Sequence, residues 1–169
     1  SAEIGKRLCP VMDRLNIHPN LLEDISGITA RRIWKNGFQP SDAATLAGKK
    51  AINEAGIECY QIGVLINTSV CWDYLEPSTA CLVHSNLNLS ESCLNFDMGN
   101  ACLAFLNGMD VAARMLEREE VVYALIVDGE TSGPITEATI NRLLEPGVTE
   151  AQFHAEFASL TLGSGSAAM

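Results

Sequence analysis

The period of the apolar positions changes repeatedly along the chain, and the changes predict alternating helices and strands. Near the start Ile4, Leu8, Val11, Met12 and Leu15 recur at helical spacing, with Pro10 expected to bend that helix or restart it. Ser41 and Asp42 read as an N-cap for a helix through Ala43, Ala44, Ala47, Ala51 and Ala55, stopped by Gly56. A short continuous apolar run over 62–67 predicts a buried strand, followed by loop over 68–77 and a helix from Ser78 to about His84. Residues 94–98 read as a strand. Leu103, Leu106, Val111, Ala112 and Met115 mark a mostly buried helix reaching about Arg118, and 121–127 is the strand after it.

Strand, crossover helix and strand in that order predict an α/β fold, a parallel sheet with helices on both faces. Reactive groups in such sheets collect at the carboxyl ends of strands, which nominates the segments 67–77, 99–102 and 128–134. The last third is less regular. A helix over 134–144 is broken by Pro146-Gly147, and Thr149 with Gln152 forms a capping box for a second short helix. Gly163-x-Gly165-x-x-Ala168 superficially matches a dinucleotide fingerprint, but no helix follows and no βαβ unit surrounds it. A small-residue strand pressed against a neighbouring element is the better reading of that segment.

Composition narrows the function. With 169 residues at 47% apolar content the chain can build a real core, and its length suits one domain. Eleven basic against 21 acidic residues give a net charge of -10, which argues against nucleic acid or an anionic membrane as the main partner. No apolar run approaches the ~20 residues needed to span a bilayer. Nothing at the N-terminus looks like a secretory signal, so the expectation is a cytoplasmic protein whose six cysteines are reduced. They include no CxxC pair and no His-Cys cluster at zinc spacing, so no metal site is expected. Cys9, Cys59, Cys71, Cys81 and Cys93 read as packed thiols.

Cys102 is different because of its place. In Phe96-Asp97-Met98-Gly99-Asn100-Ala101-Cys102 the pattern switches from strand to helix at the thiol, which puts Cys102 in the first turn of the helix. There, unpaired N–H groups and the helix dipole favour a thiolate, the nucleophilic form. Local sequence leaves Cys102 open between a packed thiol and a nucleophile.

The segments from Asp97 to Gly108, Gly27-Ile28-x-x-Arg31-Arg32, Leu75-Glu76-Pro77-Ser78-Thr79-Ala80 and Leu162 to Met169 resemble the thiolase superfamily of condensing enzymes. Within it the chain is similar to the β-ketoacyl-acyl-carrier-protein synthase III branch, above all to the subgroup that condenses two fatty acyl-CoA molecules head to head in bacterial olefin synthesis. The resemblance implies one half of a thiolase-like fold, a mixed, mainly parallel sheet covered by helices. It takes residues 1–169 as the N-terminal half, without the family's first strand, expected to be central in the sheet, and without the C-terminal half.

Roles follow from the same resemblance. Cys102 is the expected nucleophile, taking an acyl group from a CoA or carrier-protein thioester, with its own backbone N–H in the oxyanion hole. Glu76 stands where synthase III enzymes carry an aromatic side chain donated across the dimer interface. Read locally, Glu76 is a solvated loop residue ahead of Pro77. By the resemblance it is the base that deprotonates the second acyl-CoA, its pKa raised in an apolar acyl tunnel. The expected protein is therefore an acyltransferase and a homodimer, with thioester substrates and no resident cofactor. Malonyl-dependent synthase III activity, or a non-catalytic interaction module, is the alternative.

The CoA-binding residues stay unassigned. The family's adenine-clamping tryptophan and arginine match Leu21 and Ile25, Trp34 lies beyond the motif, and Arg31 and Arg32 suit either an anionic ligand or a salt-bridged face. His84 reads as a packed or surface residue of its helix. His18, His84 and His154 all lie outside the setting of the family's catalytic His, so the isolated half is expected not to complete condensation.

Overall fold

A computed structural model describes residues 1–169. In chain order its helices are α1 (Ala2–Arg14), α2 (Leu21–Ser26), α3 (Pro40–Ala55), α4 (Thr79–Asn86), α5 (Ala104–Glu117), α6 (Gly133–Leu143) and α7 (Glu150–Glu156). The strands are β1 (Ile62–Asn67), β2 (Leu94–Asp97), β3 (Tyr123–Glu130) and β4 (Gly165–Ala168). Two compact units result: Ser1–Trp34 with Ser132–Ser164, and Lys35–Thr131 with Gly165–Met169.

The second unit holds the sheet, in the order β2-β1-β3-β4. β1 pairs parallel with both β2 and β3, and β4 pairs antiparallel with β3, so the sheet is mixed and mainly parallel. β1 is flanked on both sides, and its Val64, Leu65 and Ile66 are fully buried, which is why it reads as an unbroken apolar run. Leu65, Leu125 and Val127 pack on one face with Ala44 and Ile52 of α3 and Val83 of α4. Val64, Ile66 and Ile126 face the other way, against Ala112, Phe105 and Met109 of α5. Helices on both faces are thus found as expected. The expected vacancy for a central first strand is not: β1 and β3 are direct neighbours, paired Leu65 to Leu125, so a further strand could join only at an edge.

Two glycines let helices lie close to the sheet. At Gly108 of α5 a Cβ would sit 3.1 Å from Thr68 Cγ2 and 3.3 Å from Ile126 Cγ2. At Gly129 of β3 it would strike the Pro40 carbonyl oxygen and come within 2.6 Å of the Ala44 nitrogen, so strand and helix backbone meet directly. α3 starts earlier than the sequence suggests. Its N-cap is Gln39, in a capping box with Asp42, and Pro40 opens the helix where a missing N–H costs nothing. Ser41 lies inside that first turn, with its N–H and hydroxyl both donated to Asp73. Gly56 ends α3 in the left-handed conformation, as expected.

The other unit packs α1, α2, α6 and α7 around Leu8, Val11, Met12, Leu22, Ile140, Leu143, Phe153 and Leu160. α1 continues through Pro10 without a restart. Pro10 sits on the exposed side, while Leu8, Val11 and Met12 bury the opposite stripe, and that packing offsets the lost hydrogen bond. α2 has six residues, too few to register as a period, and ends at left-handed Gly27. The Thr149–Gln152 capping box forms as read: Thr149 Oγ1 accepts from the Gln152 N–H at 3.3 Å, and Gln152 Oε1 accepts from the Thr149 N–H at 2.9 Å.

Candidate active site

β2 ends at Asp97, and the chain turns through Met98, Gly99 and Asn100 before α5 begins at Ala104. Ala101 takes a positive φ of 45° within this turn, a conformation that costs a non-glycine residue about 1 kcal/mol or more and gathers at functional sites. Cys102 follows it in a single 3₁₀ turn, Ala101–Leu103, so the thiol precedes the first turn of α5 rather than sitting in it. The turn is braced by the Leu103 N–H donating to Asn100 O at 3.1 Å and by Asn100 Nδ2 donating to Asn107 Oδ1 at 2.6 Å. Cys102 is exposed, not packed.

All six cysteines are free, and the others divide by environment. Cys93 is buried, and burial pushes its thiol up. Cys71 is half-buried and pushed up to about 12 by desolvation and by its contact with Glu130. Cys9 and Cys81 are exposed, which corrects the expectation that both are packed. The Cys9 thiol donates to Asp13 at 3.3 Å and is raised by that carboxylate, so exposure does not make it a ready thiolate.

Glu76 lies in the long loop between β1 and α4 and is exposed, with a cis peptide to Pro77. The residues of this chain do not enclose it in an apolar tunnel. Its loop also exposes Val70, Trp72, Tyr74 and Leu75, the last at 87%. Carboxylates hold the backbone under these apolar side chains. Glu130 accepts from the Val70 N–H at 2.6 Å and the Cys71 N–H at 3.1 Å. Asp73 accepts from Ser41 and from the Thr79 hydroxyl. Asp97 accepts from the N–H groups of Thr79 and Ala80 at the start of α4, and from Asn67 Nδ2. None of these clamps is visible in the sequence, since each joins residues distant in the chain or lacking any periodic mark. β1 and β2 are parallel neighbours paired Asn67 to Asp97, so the Glu76 loop and the Cys102 turn leave the same end of adjacent strands.

Beyond this edge, Asp128 on β3 is pushed up to about 6 by burial and, second, by the charge of Glu130. His84 is partly buried, with Nε2 3.0 Å from Ser90 O. Arg31 is engaged in the helical unit, donating to Leu160 O, and desolvation lowers its pKa. Leu21 and Ile25 fall on α2, where Ile25 is exposed. No group of three or more His, Cys, Asp or Glu is placed to hold a metal ion, and no helix is long and apolar enough to cross a membrane.

No protein-family model matches the chain. Individual proteins do. The acyl-CoA:acyl-CoA alkyltransferase of Xanthomonas campestris is 57% identical over 169 residues, all of this chain and 50% of that protein. A crystal structure of OleA from the same organism, a histidine-to-asparagine variant with cerulenin, matches at a TM-score of 0.94 over 99% of this chain and 50% of that one, with 57% identity. The chain belongs to the thiolase superfamily. Its thiolase-like fold corresponds to one half of OleA, and it spans about half the length of the curated relatives it matches most fully. The thiolase-superfamily relatives include the alkyltransferase of Shewanella oneidensis, 37% identical over all of this chain and 48% of that protein. They also include the β-ketoacyl-acyl-carrier-protein synthase III of Natranaerobius thermophilus, 33% identical over 66% of this chain and 34% of that enzyme.

Proposed function

We propose that this chain is the N-terminal, nucleophile-bearing half of an acyltransferase that joins two fatty acyl-CoA molecules by Claisen condensation. Cys102 attacks the first thioester, forms an acyl-enzyme and releases CoA. Glu76 then removes the α-proton of the second acyl-CoA, and the resulting carbanion attacks the acyl-enzyme carbonyl, giving a β-ketoacyl-CoA and freeing the Cys102 sulfur. The backbone N–H of Cys102 serves the oxyanion in each addition. The reading needs no resident cofactor and takes the full protein as a cytoplasmic homodimer.

One observation carries it. Solved variants of the Xanthomonas OleA, 56% identical to this chain, substitute a glutamate and a cysteine, and these two stand as far apart in that protein as Glu76 and Cys102 do here. The exposed, strained turn at Cys102 supports the same assignment. A third substituted residue, a histidine, lies farther along that relative than this register carries into the 169 residues. The half alone is therefore expected to accept an acyl group and not to condense it.

In the full-length protein, Glu76→Ala should leave acylation of Cys102 within about threefold and lower condensation of two acyl-CoA molecules by 10²-fold or more, within the range of general-base contributions. The check is to follow CoA release and β-ketoacyl product separately. A variant that condenses normally would remove the base assignment. The second reading, a malonyl-dependent synthase III, draws on the synthase relatives and predicts instead that condensation requires a malonyl thioester and tolerates the loss of Glu76.

A further inference from the structure

Asp97 closes β2 five residues before Cys102 and has no cationic partner; its carboxylate is taken up by N–H donors from two other segments. Oδ1 accepts from Ala80 N at 2.7 Å and from Asn67 Nδ2 at 3.0 Å, and Oδ2 accepts from Thr79 N at 3.0 Å. Asn67 is the last residue of β1, aligned with Asp97 across the strand pair. Thr79 and Ala80 are the first two residues of α4, whose N–H groups have no partner within the helix and whose positive end favours an anion. Glu76 lies only three residues before Thr79, so its backbone can lie no more than roughly 11 Å from that anchor.

We propose that Asp97 is a positioning residue: its carboxylate fixes the segment carrying Glu76 to the strand end that delivers Cys102. This inference rests on the reading given under Proposed function. It holds whether Glu76 serves its own chain or a second copy, because in a two-fold dimer fixing the loop on its own sheet also fixes it relative to the partner's site. Acylation of Cys102 uses only the turn after β2, whereas carbon–carbon bond formation needs Glu76 aligned to a substrate proton. Loss of the clamp should therefore separate the two steps, whereas a general loss of structure would lower both together.

The test uses the full-length protein with a long-chain acyl-CoA and follows acyl transfer to Cys102 and condensation independently. Asp97→Asn keeps the shape but places an NH₂ group against one of the N–H donors. Acylation is expected to stay within about threefold of the parent while condensation falls at least tenfold, with Asp97→Glu recovering part of the loss. Equal loss of both steps, or loss of neither, overturns the proposal. If Asp97→Asn does not fold, Thr79→Pro is read on the same two rates against Thr79→Val. Proline is tolerated at the first position of a helix and removes the N–H donor to an intact Asp97 carboxylate, while valine keeps that N–H and lacks only the hydroxyl bonded to Asp73, so a split of the two rates must appear with proline and not with valine. The parent and Glu76→Ala are measured alongside. A parent that never acylates Cys102, or a Glu76→Ala variant that condenses normally, marks failure of the functional reading, whereas a normal pair with unsplit Asp97 variants marks failure of this inference alone.

Discussion

At the scale of single residues, ionisation at the carboxyl ends of the strands carries a measurable cost. Asp128 is half-buried beside Glu130, and both desolvation and like charge push its carboxyl from 3.8 to about 6. The folded state therefore binds more protons than the unfolded state between about pH 4 and pH 6, and stability falls as pH rises through that window. Full linkage would make this ~3 kcal/mol, but solvent screening of a half-exposed group brings it to about 1 kcal/mol. Thermal unfolding from pH 4 to pH 8 should show the parent losing stability between pH 4 and pH 6 relative to Asp128→Asn, and the two running parallel above pH 7. Parallel curves throughout would show that Asp128 titrates normally. Residue chemistry was unevenly legible in the sequence. Cys102 stood out because a strand pattern gives way to a helix pattern at the thiol. The strain at Ala101 and the clamps made by Asp73, Asp97 and Glu130 leave no local mark, being set by contacts between segments.

At the scale of elements, close approach of α3 to β3 organises the sheet unit. Gly129→Ala would drive a methyl into the Pro40 carbonyl and the Ala44 nitrogen, and backbone on both sides cannot turn aside. It should destabilise by about 3 kcal/mol or more, at the upper end of overpacking costs. Gly108→Ala meets only the methyl groups of Thr68 and Ile126 at 3.1 and 3.3 Å, which can give by a few tenths of an ångström, so its cost should be about 1 kcal/mol. Denaturant unfolding of both variants checks the order, and a Gly108 variant the less stable of the two would contradict it. The parts read most accurately were those with a strong period or cap: β1, the Gly56 end of α3, and α7 behind Thr149. α2 escaped because six residues carry no period, and α1 passed through Pro10 because tertiary packing outweighs one lost hydrogen bond.

At the scale of the whole molecule, the chain is one half of a thiolase-like fold that places Cys102 and the Glu76 loop at one end of adjacent strands. The resemblance was legible because the Asp97–Gly108 segment is specific, whereas strand order depends on pairing that no segment records; hence the first strand was misplaced to the centre of the sheet. The 169-residue half, produced alone, should take up an acyl group without yielding a β-ketoacyl product, and adding the remaining half should restore product. Product from the half alone would show that no further residues are needed. On the proposed function, Cys102 alone of the exposed cysteines is the nucleophile. Incubation of the full-length protein with a long-chain acyl-CoA, followed by peptide mapping in a mass spectrometer, tests it most directly. One acyl group is expected, on Cys102, with Cys9 and Cys81 unmodified; a folded protein with no adduct there, or with the acyl group on Cys9 or Cys81, would show that Cys102 is not the nucleophile.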